Sequence, residues 1–263
     1  MRRFRVPENI AVHDKPADKL FESISSIRQH ILAMSQGVPD ATVIIPAYNE
    51  ERNILRTLSS FSKSSTAKSI QIIVVNNNSS DATASIATAA GVTCIDEPEQ
   101  GITAARNRGL KHAKGKLILN ADADTIYPPD WIDLMLGPLS TDDIALVYGD
   151  HYFLPFTGDS RAAYFFYEQL GDIKKIVNRI FREEAVNVYG FNSAFRREEG
   201  LVVDGFTHPP GTNEDGWLAV KLRNHFKKKL FRQGNRAAMV WTSNRRLEAD
   251  GGVLRAAGKR LKR

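Results

Sequence analysis

The sequence predicts an α/β protein with a mainly parallel, Rossmann-like sheet flanked by helices. Two observations lead there. Between residues 42 and 121, apolar runs rich in β-branched residues alternate strictly with segments that repeat apolar residues every three or four positions, joined by short links. Polar clusters also stand just beyond the carboxyl ends of three of these runs, which is where open α/β sheets bind ligands.

The elements follow in order. Leu20, Phe21, Ile24, Ile27, Ile31 and Leu32 recur at helical spacing, so residues 1–40 form an extension carrying one amphipathic helix, ended by Gly37 and Pro39. Thr42–Pro46 is the first strand. Ile54, Leu55, Leu58 and Phe61 share one face of a helix over Glu50–Phe61. Ile70–Val75 is the second strand, and Asp81 caps an alanine-rich helix reaching Ala90. Val92–Ile95, a helix over Thr103–Ala113 and a strand over Lys116–Ala121 complete the regular part. Beyond residue 140 the order loosens: a strand at Ile144–Tyr148, a helix over 159–183 that turns Tyr164, Phe165, Phe166 and Leu170 toward the core or over the sheet, a strand or hairpin at Val186–Phe195, and a helix over Glu214–Phe226. No repeat or low-complexity linker interrupts residues 41–250, which read as one domain, and 251–263 form a basic tail.

Composition narrows the class. A hydrophobic content of 42% and a charged content of 25% are those of a soluble globular protein. No apolar run nears the ~20 residues that cross a bilayer, and no apolar region follows the basic residues Arg2, Arg3 and Arg5. Cys94 is the only cysteine, set in an apolar segment, and reads as a buried small hydrophobe in a reducing, cytoplasmic compartment. The net charge of +6 is uneven. From Lys221 onward 14 Lys and Arg face two Asp and Glu, and the residues before it hold 22 basic against 28 acidic side chains. A basic end on an acidic body suits a diphosphate, an anionic lipid or a nucleic acid, or is simply a solvated basic face.

Asp122-Ala123-Asp124 carries the sharpest chemistry. Two carboxylates one residue apart at a strand end offer hard oxygens to Mg²⁺ or Mn²⁺, which are commonly shared with substrate phosphates. Tyr48-Asn49-Glu50 and Asn76-Asn77-Asn78 stand at two further strand ends, so all three clusters converge on one crevice; each could instead merely cap its helix. No Cys/His spacing implies zinc, and His208, in a loop shaped by Pro209, Pro210 and Gly211, reads as an exposed loop residue.

These segments resemble family 2 glycosyltransferases with the GT-A fold. Pro46-Ala47-Tyr48-Asn49-Glu50-Glu51 is similar to their first nucleotide loop, and Asn76–Thr83 to their second, which is usually richer in Asp. Gly101–Gly109 through Asp124 resembles the stretch ending in the metal-binding D-x-D. Gly190–Arg197 resembles a segment lining the sugar and acceptor site, and Asn213-Glu214-Asp215 the motif that carries the base. The resemblance covers residues 40–250 and implies a nucleotide-binding half at 41–125 and an acceptor-binding half at 126–250. It implies an inverting, metal-dependent transfer from a nucleotide-diphosphate sugar to a hydroxyl of a glycan or lipid-linked acceptor, in surface polysaccharide or glycolipid synthesis.

The donor-binding set so implied is Pro46, Tyr48, Glu50, Asn76, Asn77, Arg106, Asp122, Ala123, Asp124, Arg245 and Arg246, with Mn²⁺ or Mg²⁺ on Asp122 and Asp124. Asp215 is the base, and Asn192 and Glu214 meet the acceptor. Alternatives stay open residue by residue. Arg106 could be a surface cation or a structural partner, Arg245-Arg246 a basic loop, Tyr48 ordinary packing, and Glu214-Asp215 an acidic first turn complementing the helix dipole. An Asn offers uracil both a donor and an acceptor, so a uridine diphosphate donor is favoured over guanosine or thymidine.

Two other functions compete. A nucleotidyltransferase would need a glycine-rich phosphate loop, and Pro46-Ala47-Tyr48-Asn49 has no glycine. A non-catalytic sugar-nucleotide module is allowed by the basic end, but both carboxylate motifs are intact. No aromatic-interleaved basic motif points to nucleic acid. Leu254, Ala257 and Leu261 among Arg255, Lys259, Arg260, Lys262 and Arg263 are expected to form a basic amphipathic segment. It would meet anionic lipid on the inner face of the cell membrane.

Overall fold

A computed structural model describes residues 5–155 and 161–245. Ten strands form two sheets. The large one uses β1 (Ala41–Ala47), β2 (Ile70–Asn76), β3 (Thr93–Asp96), β4 (Leu117–Asn120), β6 (Ile144–Gly149), β8 (Ser193–Arg196) and β9 (Lys229–Gln233), in the order β3-β2-β1-β4-β8-β6-β9. Six strands run one way, and β8 runs antiparallel to both neighbours, β4 and β6. The small sheet joins β5 (Thr125–Ile126), β10 (Val240–Thr242) and β7 (His151–Phe153).

Ten α-helices accompany them: α1 (Glu8–Ala11), α2 (Ala17–Phe21), α3 (Ile24–Met34), α4 (Ile54–Phe61), α5 (Thr83–Ala89), α6 (Ile102–His112), α7 (Trp131–Leu136), α8 (Arg161–Phe181), α9 (Arg197–Val202) and α10 (Glu214–Phe226). Side-chain alternation along the strands builds a core on each face. Val43, Ile45, Ile72 and Val74 meet α3, α4, α5 and α7 on one side. Ile44, Ile73, Val75 and Ile118 meet α6 and α10 on the other. Every residue of β1 is buried, as a central parallel strand demands, and each such Val or Ile stabilises the fold by about 1.5–3 kcal/mol.

Where sequence and structure differ, the reasons are local. The single N-terminal helix is broken at Glu22–Ser23 into α2 and α3, yet Leu20, Ile27 and Ile31 bury as expected, in the same core as α4. Asp81 stands one residue outside the cap position of α5, with its carboxylate accepting the Thr83 N–H at 3.0 Å. Of Val186–Phe195 only the end is strand. Glu184–Asn187 is a 3₁₀ turn, and the Asn192 N–H closes a further turn onto the Tyr189 carbonyl at 3.0 Å. Cys94 is half-buried, since β3 is an edge strand. The beginning of the expected 159–183 helix, Arg246 and the basic tail lie outside the described residues. Among the described residues no helix is long and apolar enough to cross a membrane.

Candidate active site

The carboxyl ends of β1, β2 and β4 share one edge of the large sheet, and the loops leaving them are stapled together. Asn49 takes a left-handed φ of 54°, which Asn tolerates better than most residues. Its side-chain oxygen accepts the Ser80 N–H at 2.9 Å, while its own N–H donates to Ser79 Oγ at 3.0 Å. The Glu50 N–H donates to Thr83 Oγ1 at 2.8 Å. Tyr48 is left half exposed at the mouth, and Pro46 is buried within β1.

The two asparagines of the second loop are spent differently. Asn77 is buried, and its amide is engaged by the segment that follows β3. It donates to the carbonyls of Glu97 at 2.9 Å and Glu99 at 2.6 Å, and accepts the Gly101 N–H at 2.8 Å. It thus shapes the approach to α6 rather than turning its amide to the crevice. Asn76 lies at the rim, donating to Asp96 Oδ1 at 2.9 Å. Asp96, at the end of β3, is a carboxylate the sequence reading passed over.

Asp122 and Asp124 turn to different partners. Asp122 Oδ1 accepts from Arg106 Nη2 at 2.9 Å, and the Asp122 N–H donates to Tyr127 Oη, which itself donates to the Phe191 carbonyl at 3.0 Å. Asp124 faces the small sheet. Because β10 pairs antiparallel with β5 in the register Thr242↔Thr125, the residues after Thr242 come to lie beside Asp124. Ser243 Oγ donates to Asp124 Oδ2, and Arg245 Nη2 sits 2.6 Å from both Asp124 Oδ2 and Glu50 Oε1. Burial raises the Glu50 pKa, against the pull of Asn53 and Arg245. Burial would lower the Arg245 pKa, but the facing carboxylates of Asp124 and Glu50 drive it well upward. A guanidinium therefore already stands between two hard-oxygen donors, Glu50 and Asp124, that the loops leaving β1 and β4 bring together. The donor chemistry fits a divalent cation, which typically takes one or two carboxylates and completes its shell with water and phosphate. Ala123 is buried, with its carbonyl accepting from Thr57 Oγ1 at 2.8 Å.

Arg106 is the hinge of the site. Projecting from α6 and only 2% exposed, it pairs with Asp122 and also stands 3.5 Å, Nε to Oδ1, from Asp215 at the start of α10. Its pKa is raised: burial opposes, but Asp215 and Asp122 outweigh it. Asp215 Oδ2 accepts the Gly190 N–H at 2.7 Å, while Oδ1 accepts no hydrogen bond. Burial pushes the Asp215 pKa up to about 7, with Arg106 pulling down and Glu214 and Asp122 pushing up. Gly190 is the spacer. A Cβ there would stand 2.1 Å from Arg106 Nη2 and 2.4 and 2.5 Å from the two Asp215 oxygens. Asn213 caps α10 by accepting the Gly216 N–H at 2.6 Å and so fixes Glu214 and Asp215 in the first turn.

Asn192 is not brought to this opening. It is 0% exposed, accepts from Trp131 Nε1 at 2.8 Å and donates to the carbonyls of Asp150 at 2.8 Å and Ala238 at 3.3 Å. His208 is partly buried, its Nε2 3.2 Å from Thr103 Oγ1. The sequence reading missed Ser243, Gly190 as spacer, and Tyr127 as the link from Asp122 to the 187–192 segment. Tyr127 had a signal, lying three residues past the D-x-D; the other two depend on contacts between distant segments.

The fold and this edge define the GT-A class of nucleotide-diphospho-sugar transferase folds. A mannosyltransferase from Pyrobaculum calidifontis, solved with GDP-Man and Mn²⁺, superposes with a TM-score of 0.57 at 19% identity, covering 89% of this chain and 68% of that one. Glucosyl-3-phosphoglycerate synthase from Mycobacterium tuberculosis, solved with Mn²⁺, UDP-glucose and phosphoglyceric acid, gives 0.55 at 20% identity, covering 89% and 82%. The model of the family described as "Glycosyl transferase family 2" matches residues 42–200, and the chain belongs to that family. Among curated relatives, glycosyltransferase AglE of Haloferax volcanii is 28% identical over 60% of this chain. Glycosyltransferase GlyA of Streptococcus pneumoniae is 26% identical over 59%. The matches span only 57% and 23% of those two relatives' own lengths.

Proposed function

We propose that the protein transfers a sugar, with inversion, from a nucleotide-diphosphate sugar to an acceptor hydroxyl, using Asp215 as base. The observation that carries this is the buried Arg106, whose one guanidinium faces both Asp122 and Asp215. On this reading Asp122 lies on the donor side and Asp215 on the acceptor side, and Arg106 ties the two together.

Asp215 suits a base on two grounds. Its Oδ1 carries no hydrogen bond, and its pKa, raised to about 7, matches proton transfer near neutral pH. The Gly190 N–H fixes the other oxygen, so the carboxylate cannot rotate freely. As the acceptor oxygen bonds to the anomeric carbon, its proton passes to Asp215. The bond from that carbon to the diphosphate oxygen breaks with its electron pair on the diphosphate. Attack from the face opposite the leaving group inverts the centre. Asp124, with Asp122 beside it, would hold Mn²⁺ or Mg²⁺, which as a Lewis acid neutralises the departing diphosphate. Arg245 is placed to exchange its carboxylates for phosphate oxygens, a charge-assisted contact of the same kind.

The donor is taken as a uridine diphosphate sugar, with Asn76 and Asp96 at the rim as the groups for its base, since the Asn77 amide is engaged by Glu97, Glu99 and Gly101. Solved relatives hold both uridine and guanosine donors, so both belong in the test. An acceptor in polysaccharide or glycolipid synthesis accords with a relative from Escherichia coli whose name gives a GlcNAc-diphosphoundecaprenol acceptor. The test is a thermal-shift panel of UDP, GDP and TDP with and without Mn²⁺. Stabilisation by UDP that needs Mn²⁺ and disappears in Asp124→Asn is expected. No stabilisation by any nucleotide defeats the donor site.

A further inference from the structure

The second half of helix α8 turns polar groups inward and apolar ones outward. The side facing the protein buries Tyr164, Phe165 and Tyr167 near the start of the helix, then Glu168, Lys175 and Asn178. Glu168 is held by Arg161 at 2.8 Å, and Lys175 by Asp150 at 2.8 Å. The side turned to water carries Phe166, Ile173, Ile176, Val177, Ile180 and Phe181, exposed by 65, 60, 47, 38, 59 and 78%. At 100° per residue these six fall within an arc of about 140°, a continuous stripe some ~22 Å long. Scattered exposed apolar residues are ordinary on a protein surface, but a contiguous stripe marks a contact site.

The charges around the stripe choose its occupant. Lys174 and Arg179 on α8, and Arg182 just past its end, are fully exposed, against partly exposed Asp172 and Glu184. The nearby Glu183 is paired with Arg223 at 2.8 Å. The fully exposed charges here are thus all basic, and they suit an anionic surface. Two copies meeting stripe to stripe would bring the same cations together, which disfavours self-association. Helix α8 is not apolar enough to cross a bilayer, and an apolar face of this kind suits the interface, with the basic side chains reaching the phosphates.

We infer that α8 is an interfacial helix that seats the protein on an anionic membrane. This seat is a different element from the C-terminal basic tail and does not depend on the proposed transfer. The face of α8 opposite the stripe meets the acceptor side. Lys175 Nζ lies 5.4 Å from the centre of the Tyr189 ring, Asn187 Nδ2 donates to the Lys175 carbonyl at 2.9 Å, and Gly190 then contacts Asp215.

The test is co-sedimentation of the full chain with vesicles of phosphatidylcholine alone and of equimolar phosphatidylcholine and phosphatidylglycerol. Wild type should bind the anionic vesicles. Ile173→Asp/Ile180→Asp should keep the wild-type melting temperature, because both side chains are exposed, and should lower binding at least about tenfold. Undiminished binding by that variant assigns attachment to the basic tail and overturns the inference. So does a wild-type dimer that the variant dissociates while neither form binds vesicles. As a second readout, Phe181→Trp should shift its emission to the blue on anionic vesicles; an unmoved spectrum overturns the seat.

Discussion

Replacing Gly190 by alanine tests the tightest point of the site. The new methyl would lie 2.1 Å from Arg106 Nη2 and 2.4 and 2.5 Å from the Asp215 oxygens, so these groups must retreat by about 1 Å to reach ordinary contact. None can do so cheaply. Arg106 is 2% exposed and tied to Asp122 at 2.9 Å, and Asp215 is fixed in the first turn of α10. Overpacking of this kind costs about 1–3 kcal/mol. For a chain of this size that lowers the melting temperature by roughly 2–12 °C. A shift of about 1 Å in a reacting group costs on the order of 10²-fold in rate. The displaced Arg106 Nη2 also holds Asp122, whereas Asp124 and Glu50 are not among the nearest atoms, so nucleotide binding should weaken less than turnover does. The assays are a thermal melt, the Mn²⁺-dependent shift with nucleotide, and release of nucleoside diphosphate from donor under saturating conditions. A variant with wild-type melting and wild-type rate would refute the close approach and, with it, the role of Gly190 in holding Asp215.

Three further outcomes are expected. Asp215→Asn should keep the nucleotide-dependent thermal shift and lose about 10²–10⁴-fold in turnover. In wild type the rate should climb as pH rises through about 7, where the base loses its proton, and this limb should vanish in the variant; a retained limb removes Asp215 as base. Arg245→Ala should bind Mn²⁺ more tightly without nucleotide, because the competing guanidinium on Asp124 and Glu50 is gone, yet gain less from nucleotide; calorimetry that shows weaker Mn²⁺ binding would contradict this. His13 is buried against Ser59 at 2.8 Å, and burial, helped by Lys63 and Lys15, lowers its pKa to about 4. The unfolded chain takes up this proton first, so stability present above pH ~6.5 should fall as pH drops through about 4, by on the order of 2–3 kcal/mol. His13→Gln should flatten that slope in denaturant titrations, and an unchanged slope assigns it to other groups.

The sheet through residue 121 was legible because its inner strands β1, β2 and β4 are largely buried on both faces and each link is short, so the pattern of apolar residues distinguishes the elements. The helix Glu214–Phe226 was legible to the residue, since Asn213 caps it and Lys227 leaves it in the left-handed conformation. The second half was less so. Strands β5, β7 and β10 have two or three residues each, too few to show a period, and β10 pairs with partners far away in the chain, Thr125–Ile126 and His151–Phe153. That pairing is what carries Arg245 to Asp124. Asn192 shows the opposite failure. A polar residue in a segment resembling an acceptor wall turned out to satisfy Trp131 and two carbonyls in the interior, and only its tertiary partners reveal this.

The reversed strand has a consequence for how such a protein can change. Because β8 runs against its neighbours, its beginning, Ser193, lies opposite the end of β4 at Asn120. The chain that precedes β8 thus enters at the edge where the other strands exit. The accessible positions of residues 182–192 can be varied there while β1, β2 and β4 keep their register. A library confined to them, with the buried Ala185, Asn187, Val188, Gly190 and Asn192 held fixed, would on the proposed reaction vary what is received while leaving intact what is given.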